Sequence, residues 1–281
     1  MSARAGGGQS SNYFSRFFAV VWRSLAQLVR PPSHSRRAEA ARRSARHILL
    51  LATVLGAVIV ALMYALDARE IGLMPPRGTP GLWPIRILTD FGKSAYVLWL
   101  LAGALFAAAI ISPRLRGTSR SLLLGLGTRL QFLFFAVLVP VLLGEVIKWI
   151  VGRGRPFAGG EADAFNFSHF AATEAYASFP SGHAITSFAL AFAVSALWPQ
   201  ARVAMAVYAV LIAASRLVLL AHHPSDVVAG ALLGVIGAMF VRYWFAARRL
   251  GFAIRRDGAI VPLAGPSLRR LKGVARGASA P

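Results

Sequence analysis

Three short strings in the chain carry residue types that together handle phosphate. They run from Lys148 to Pro156 (KWIVGRGRP), from Pro180 to His183 (PSGH) and from Ser215 to Asp226 (SRLVLLAHHPSD). Lys148 offers a compact positive charge, while Arg155 and Arg216 offer forked donors that match phosphate oxygens. Ser181 adds a hydroxyl, Gly182 lets backbone approach a ligand closely, and the free N–H groups of a helix starting near Pro180 favour an anion. His183 titrates near neutrality in its reference state and can protonate a leaving alkoxide. A carboxylate at Asp226, bonded to one ring nitrogen of a histidine, would fix its tautomer and leave the other nitrogen free to attack. On side-chain chemistry His222 and His223 are rival nucleophiles; neighbours in sequence point different ways, so only one is expected in the site. Each string taken singly also has a structural reading. Basic residues at a helix end snorkel to headgroups, a serine caps a helix, and Arg216 with Asp226 can pair between helices.

Each string lies at the end of a long apolar segment, and those segments must position it. Hydrophobic residues make up 57% of the 281 residues and charged residues only 15%, too little polar surface for a water-facing globule of this size. The apolar residues gather into six runs: Ile48–Leu66, Tyr96–Ile111, Leu130–Val151, Ala184–Trp198, Val203–Leu220 and Val227–Phe245. Crossing a hydrocarbon core takes about 20 helical residues, so the fourth run is short unless it begins inside PSGH. Segments this continuous are expected to be helices, whose backbone bonds close internally. The predicted fold is an all-α integral membrane protein, a six-transmembrane helix bundle with an N-terminal amphipathic interfacial helix. With six spans, all three strings fall on the same side of the membrane. The absence of cysteine excludes disulfides and thiolate metal sites.

The formal net charge of +21 is distributed unevenly. Nine arginines, Arg4 to Arg46, precede the first run against one acid, Glu39, and eight basic residues, Arg248 to Arg276, follow the last against Asp257. Arg114, Arg116, Arg120 and Arg129 lie between the second and third runs. Six spans place these regions together, and their excess of positive charge marks that side as cytoplasmic, with both termini there. The opposite loops are nearly neutral. This pattern follows the topology rule rather than a nucleic-acid patch, so anionic lipid headgroups are the expected partner at the cytoplasmic face and nucleic acid is not.

Three segments result. Residues 1–47 form a basic cytoplasmic N-terminal segment, 48–245 the six-helix bundle, and 246–281 a basic cytoplasmic tail expected to be partly disordered. Residues 1–10 are Gly/Ser-rich and expected to be mobile. From Phe14 to Val29 apolar residues recur at helical spacing, with Arg16, Arg23 and Arg30 seven apart and Pro31-Pro32 as a stop. This helix either lies flat on the cytoplasmic leaflet or packs against the bundle. The stretch 67–94 is rich in Pro and Gly, with Trp83 and Ile85 as expected interface anchors, and the loop 152–179 reads as a segment packed on the bundle's outer end or a mobile cover. No cleavable signal peptide is evident before Ile48, so the first span is expected to serve as its own insertion signal.

In order and spacing the three strings resemble the type 2 phosphatidic acid phosphatase superfamily, which includes the vanadium haloperoxidases. Its pattern is Lys, six residues, Arg-Pro; then Pro-Ser-Gly-His; then Ser-Arg, five residues, His, three residues, Asp. Every position is matched, by Lys148 with Arg155-Pro156, by Pro180 to His183, and by Ser215-Arg216 with His222 and Asp226. The resemblance implies His222 as the nucleophile that takes the phosphoryl group, in preference to His223, with Asp226 as its orienting partner. It implies His183 as the acid that protonates the leaving oxygen and then helps activate water. Lys148, Arg155, Ser181, Gly182 and Arg216 match positions that hold the phosphate oxygens.

The expected function is a membrane phosphatase acting on a lipid phosphomonoester or isoprenoid diphosphate at the non-cytoplasmic face, in a bacterial inner membrane. Fixed cations can stabilise phosphoryl transfer; Glu161, Asp163 and Glu174 sit in an irregular loop, so no metal and no cofactor is predicted. A lipid phosphotransferase would share the first step. A haloperoxidase is disfavoured by the six spans, and a lipid or ion transporter by the histidine pair.

Overall fold

In a computed structural model of the chain, the described residues are 12–158 and 163–264. Among them the chain forms helices α1 (Tyr13–Val29), α2 (Arg37–Ala65), α3 (Asp67–Leu73), α4 (Trp83–Asp90), α5 (Ser94–Ile111), α6 (Gly117–Val151), α7 (Gly182–Leu197), α8 (Arg202–Val218) and α9 (Pro224–Ala247). A hairpin of β1 (Phe252–Ile254) and β2 (Ile260–Pro262) follows.

Five stretches, 37–65, 80–114, 117–151, 199–218 and 224–247, are long and apolar enough to cross a membrane. α7, the fourth expected span, has 16 residues and starts at Gly182, inside PSGH. α6 begins well before Leu130 and runs for 35 residues. At 1.5 Å per residue it measures about 50 Å, longer than a hydrocarbon core of about 30 Å. Large apolar side chains such as Leu50, Trp99, Leu100, Leu142 and Val203 are exposed on the bundle's outside, where lipid would cover them.

At the centre stands α9, packed against α7, α2 and α6. Small residues make the approach possible. A Cβ on Gly230 would lie 2.5 Å from the Ser181 carbonyl, and one on Gly237 2.6 Å from Pro140 of α6. Gly234 abuts the backbone of Ile185 in the same way. α7 therefore rides directly on α9, with the Ser181 amide donating to the Asp226 carbonyl at 3.0 Å. The PSGH turn and the start of α9 are joined by backbone as well as by side chains.

The Pro/Gly-rich stretch 67–94 contains α3 and α4, each too short for sequence periodicity to reveal. In the tail, expected to be partly disordered, residues 250–264 form the hairpin and its flanks. Phe252 packs on Phe132 of α6 at 4.8 Å between ring centroids, and Phe132 on Phe245 of α9 at 5.5 Å. The Ile254 amide donates to His34 Nε2 at 3.2 Å. Strands of three residues give no readable pattern, and their stability comes from this aromatic contact. Residues 1–11 and 265–281, including the expected mobile N-terminus, lie outside the described residues.

The glycine contacts yield the first prediction. Gly234→Val forces α7 and α9 apart, and overpacking of this kind costs about 1–3 kcal/mol or more. Gly103→Val is the control, since a Cβ there meets nothing within 4 Å. Thermal unfolding in detergent should show a lowered midpoint for the first variant only; equal midpoints would contradict the close packing.

Candidate active site

The first string leaves its helix at a glycine. Gly152 ends α6 in the left-handed region, φ 57° and ψ 44°, where a Cβ would also collide with the Ser168 backbone. The chain then returns along itself. Ser168 N donates to Gly152 O at 2.7 Å, Gly154 N to Asn166 O at 2.8 Å and Arg155 N to Ala175 O at 2.8 Å. Trp149 and Phe170 close the fold-back with ring centroids 4.9 Å apart. The described part of this loop is thus packed on its own stem.

The residue that this turn buries deepest is Arg153, 1% exposed. Its Nη1 donates to Asp226 Oδ1 and Ser225 Oγ, each at 2.6 Å, and its Nη2 to Asp67 Oδ2 at 2.8 Å and Ala164 O at 2.7 Å. Nε also donates to Ala164 O, at 3.1 Å, so all five guanidinium donors have acceptors. Asp67 further accepts from the Ser225 amide at 3.0 Å and from the Ser225 hydroxyl. Sequence reasoning missed both Arg153 and Asp67. Arg153 is the first arginine of GRGRP, beside the one assigned to phosphate, and Asp67 follows the first span without any spacing that marks a partner.

Asp226 does not bond to His222 as expected. Its Oδ2 stands 4.0 Å from His222 Nδ1 and instead accepts from Ser178 Oγ at 2.6 Å and the His223 amide at 2.9 Å. The reason is local: at the start of α9 a short carboxylate folds back to an uncapped backbone N–H. His222 Nδ1 finds the Ser178 carbonyl, at 2.8 Å. A carbonyl only accepts, so Nδ1 carries the proton and Nε2 the lone pair. Burial pushes the His222 imidazole well below its usual pKa, and Arg216, Arg155, Lys148 and His183 push in the same direction. His223 is fully buried, with Nδ1 3.4 Å from the Asp67 carbonyl. The two histidines therefore have different surroundings: nearby cations act on His222, and His223 lies against the Asp67 carbonyl.

The other expected residues gather on the cationic side. Lys148 Nζ lies 3.1 Å from where a Gly182 Cβ would stand, and pairs with Glu145 at 2.6 Å. Arg155 approaches Glu174 at 3.4 Å, and burial lowers its pKa. Arg216 Nη1 donates to Thr89 Oγ1 of α4 at 2.9 Å, a contact not foreseen from the sequence. The first bond inside α7 runs from Ile185 N to Ser181 O, leaving the preceding amides at the helix N-terminus for an anion. Ser181 Oγ, His183 Nε2, Arg155 Nε and Arg216 Nε are buried without a partner among the described residues.

On the acidic side Glu70 of α3 is 3% exposed, and neither carboxylate oxygen has a partner among the described residues. Burial raises its pKa to about 8, and the charges of Asp67 and Asp226 act in the same direction. Glu70 is thus held as a neutral acid at neutral pH.

Residues 129–250 match the PAP2 superfamily. The lipid A 1-phosphatase of Rhizobium johnstonii is 34% identical over 174 residues, which cover 61% of this chain and 71% of that protein. The lipid A 1-phosphatase of Rhizobium etli is 33% identical over 174 residues, 61% of this chain and 75% of its own. A protein of Escherichia coli, provisionally assigned as undecaprenyl-diphosphatase YbjG, is 36% identical over 114 residues, 38% of this chain and 54% of its own. No solved structure matches.

Two predictions follow from the charge arrangement. Arg153→Met strands two buried carboxylates, and breaking such a pair costs about 3–5 kcal/mol; Glu145→Gln removes an exposed partner worth about 0–1 kcal/mol. Thermal unfolding of both variants should separate them clearly. Glu70, whose folded pKa is raised from 4.5 to about 8, binds more protons folded than unfolded between those values. Wild type therefore loses stability relative to Glu70→Gln as pH rises through that window. A stability difference that stays constant with pH would refute this.

Proposed function

The chain belongs to the PAP2 superfamily and is a membrane lipid phosphatase, and from that premise we propose that it works through a phosphohistidine at His222. The reading rests on four of the buried atoms that lack partners among the described residues, Ser181 Oγ, His183 Nε2, Arg155 Nε and Arg216 Nε. They belong to residues whose types suit a tetrahedral oxyanion; Arg155, His183 and Arg216 act electrostatically on His222, and the Ser181 amide donates to the Asp226 carbonyl.

In the proposed mechanism the phosphate oxygens take donors from Lys148, Arg155, Arg216, Ser181 and the Gly182 amide. His222 Nε2 attacks phosphorus, the bond to the lipid oxygen breaks, and His183 gives its proton to that oxygen. Water then attacks phosphorus, losing its proton to His183, and the P–N bond breaks to restore His222 and release phosphate. Charge on the transferring group is stabilised by fixed cations, which is where most of the catalytic effect is expected. No step calls on a metal ion. Asp226 serves as a positioning residue: it holds Ser178, whose carbonyl holds His222, and it neutralises Arg153.

The substrate is a phosphate ester or diphosphate on a membrane lipid. A 1-phosphorylated lipid A is the first to test, given the two lipid A 1-phosphatases among this chain's relatives. We place the site at headgroup depth on the non-cytoplasmic face, with α7 as the sixth span, both termini cytoplasmic, and the protein in a bacterial inner membrane. The short α7 suits this placement, because its N-terminus stops at the site rather than at the surface. The arginines near the opposite helix ends support the orientation and would meet anionic headgroups there.

Purified protein with a chelator present should release phosphate from lipid A 1-phosphate, phosphatidic acid or an isoprenoid diphosphate. His222→Ala should abolish this, and His183→Ala should slow it by about 10²–10⁴-fold. His223→Gln should keep most of the rate and never form the phosphoenzyme in place of His222. Activity lost in the His223 variant but retained without His222 would overturn the assignment. A reporter fused at Gly160 that reads as cytoplasmic would reverse the orientation.

A further inference from the structure

At the end of the bundle away from His222, α1 crosses the ends of other helices and is pinned at several points. Tyr13 Oη donates to Ile110 O at 2.8 Å, Gln27 Nε2 to Gln131 Oε1 at 2.8 Å, and Trp244 Nε1 to Leu28 O at 3.0 Å. Two adjoining cavities lie beneath this helix. One, of about 690 Å³, is lined by Arg16 and Arg23 of α1 and by Arg116 and Arg120 near the start of α6, with no carboxylate among its described lining residues. Arg120 Nε is buried there without a partner among the described residues. The other, of about 330 Å³, is almost wholly apolar and lies between α1, α5 and α6, lined by Leu105, Phe106, Ala109, Leu124 and Phe134. Val20 of α1 lines both.

Their order along the bundle matters. The cationic cavity is built from residues at the helix ends, 113–120, whereas the apolar cavity reaches residues 102–109 of α5 and 123–135 of α6. A ligand filling both must be anionic at the end of the bundle and apolar toward its middle. The guanidinium groups of Arg23, Arg116 and Arg120, with no acid among the described lining residues, suit a phosphate group, and Arg forks bind its oxygens bidentately. The apolar cavity suits a hydrocarbon chain, which gains by leaving no void. Phe14, Phe18 and Trp22 are exposed on α1, so this helix also presents an apolar face to surrounding lipid.

We propose that these two cavities form one site for an anionic glycerophospholipid, its headgroup phosphate among Arg16, Arg23, Arg116 and Arg120 and one acyl chain between α1, α5 and α6. The lipid is a resident ligand, distinct from the substrate, and it ties α1 to the bundle. This rests on the membrane placement proposed above but not on the phosphatase chemistry.

Native mass spectrometry of the full chain, stripped of lipid in detergent, tests the site. The probes are phosphatidylglycerol, phosphatidylcholine and inorganic phosphate, each also scored by thermal unfolding. Wild type should bind one phosphatidylglycerol at least about tenfold more tightly than phosphatidylcholine, and should be stabilised by it; tenfold corresponds to about 1.4 kcal/mol. The triple variant Arg16→Gln, Arg116→Gln, Arg120→Gln and the cavity-filling Ala109→Trp should each lose that binding. Both should keep their lipid phosphate hydrolysis, which separates this failure from a failure of the catalytic reading. Equal retention of phosphatidylcholine, or undiminished phosphatidylglycerol binding in the triple variant, would overturn the proposal. So would protection by inorganic phosphate equal to that by lipid, since the site would then hold a free anion. If Ala109→Trp does not fold, the two-lipid comparison on wild type decides alone.

Discussion

One buried guanidinium holds three distant parts of the chain together. Arg153, at the exit of α6, grips Asp67 at the start of α3 and Asp226 at the start of α9. Charges removed from water are expensive, and their attraction repays that cost only when every donor and acceptor is matched. Here the matching is nearly complete. Arg153 spends all five donors, while the amides of Ser225 and His223 and the hydroxyls of Ser178 and Ser225 supply what a single cation cannot give two carboxylates. A third acid, Glu70, sits beside them and keeps its proton.

The histidine proposed as nucleophile depends on this cluster at one remove. Asp226 fixes Ser178 through its hydroxyl, and the Ser178 carbonyl fixes the His222 tautomer. His222 therefore stands at a boundary, with Arg153 and the acids behind it and Lys148, Arg155 and Arg216 in front. The division explains how two adjacent histidines have different fates. His223 lies against the Asp67 carbonyl, while His222 bonds Ser178 and feels the charges of Arg216, Arg155 and Lys148. It also accounts for Asp226 serving Arg153 first, since a carboxylate this deep needs a charged partner more than a neutral ring.

Backbone proximity supplies the remaining precision. α7 meets α9 at Gly230 and Gly234, so the Ser181 turn is set against the first turn of α9 without intervening side chains. Any larger residue there would move the PSGH string away from His222 while leaving each string intact. The same closeness lets a helix of 16 residues serve as a load-sharing part of the bundle, supported along its length by α6, α8 and α9.

Sequence by itself determined a good deal: apolar helices of spanning length, the charge asymmetry between their ends, and the residue types of the proposed phosphate site. These properties are local, because hydropathy, spacing and side-chain chemistry are visible wherever a residue sits. It did not show the helical turns within 67–94 or the hairpin after Arg249, elements too short to carry a period and stabilised only by what they touch. Nor did it show Arg153 with Asp67, two residues 86 positions apart that become partners only when α3, the α6 exit and α9 converge. Which carbonyl would orient His222, and which acid would be drawn away from it, was decided by tertiary structure alone. A buried charge chooses its partners by distance and desolvation, and neither exists until the helices have packed.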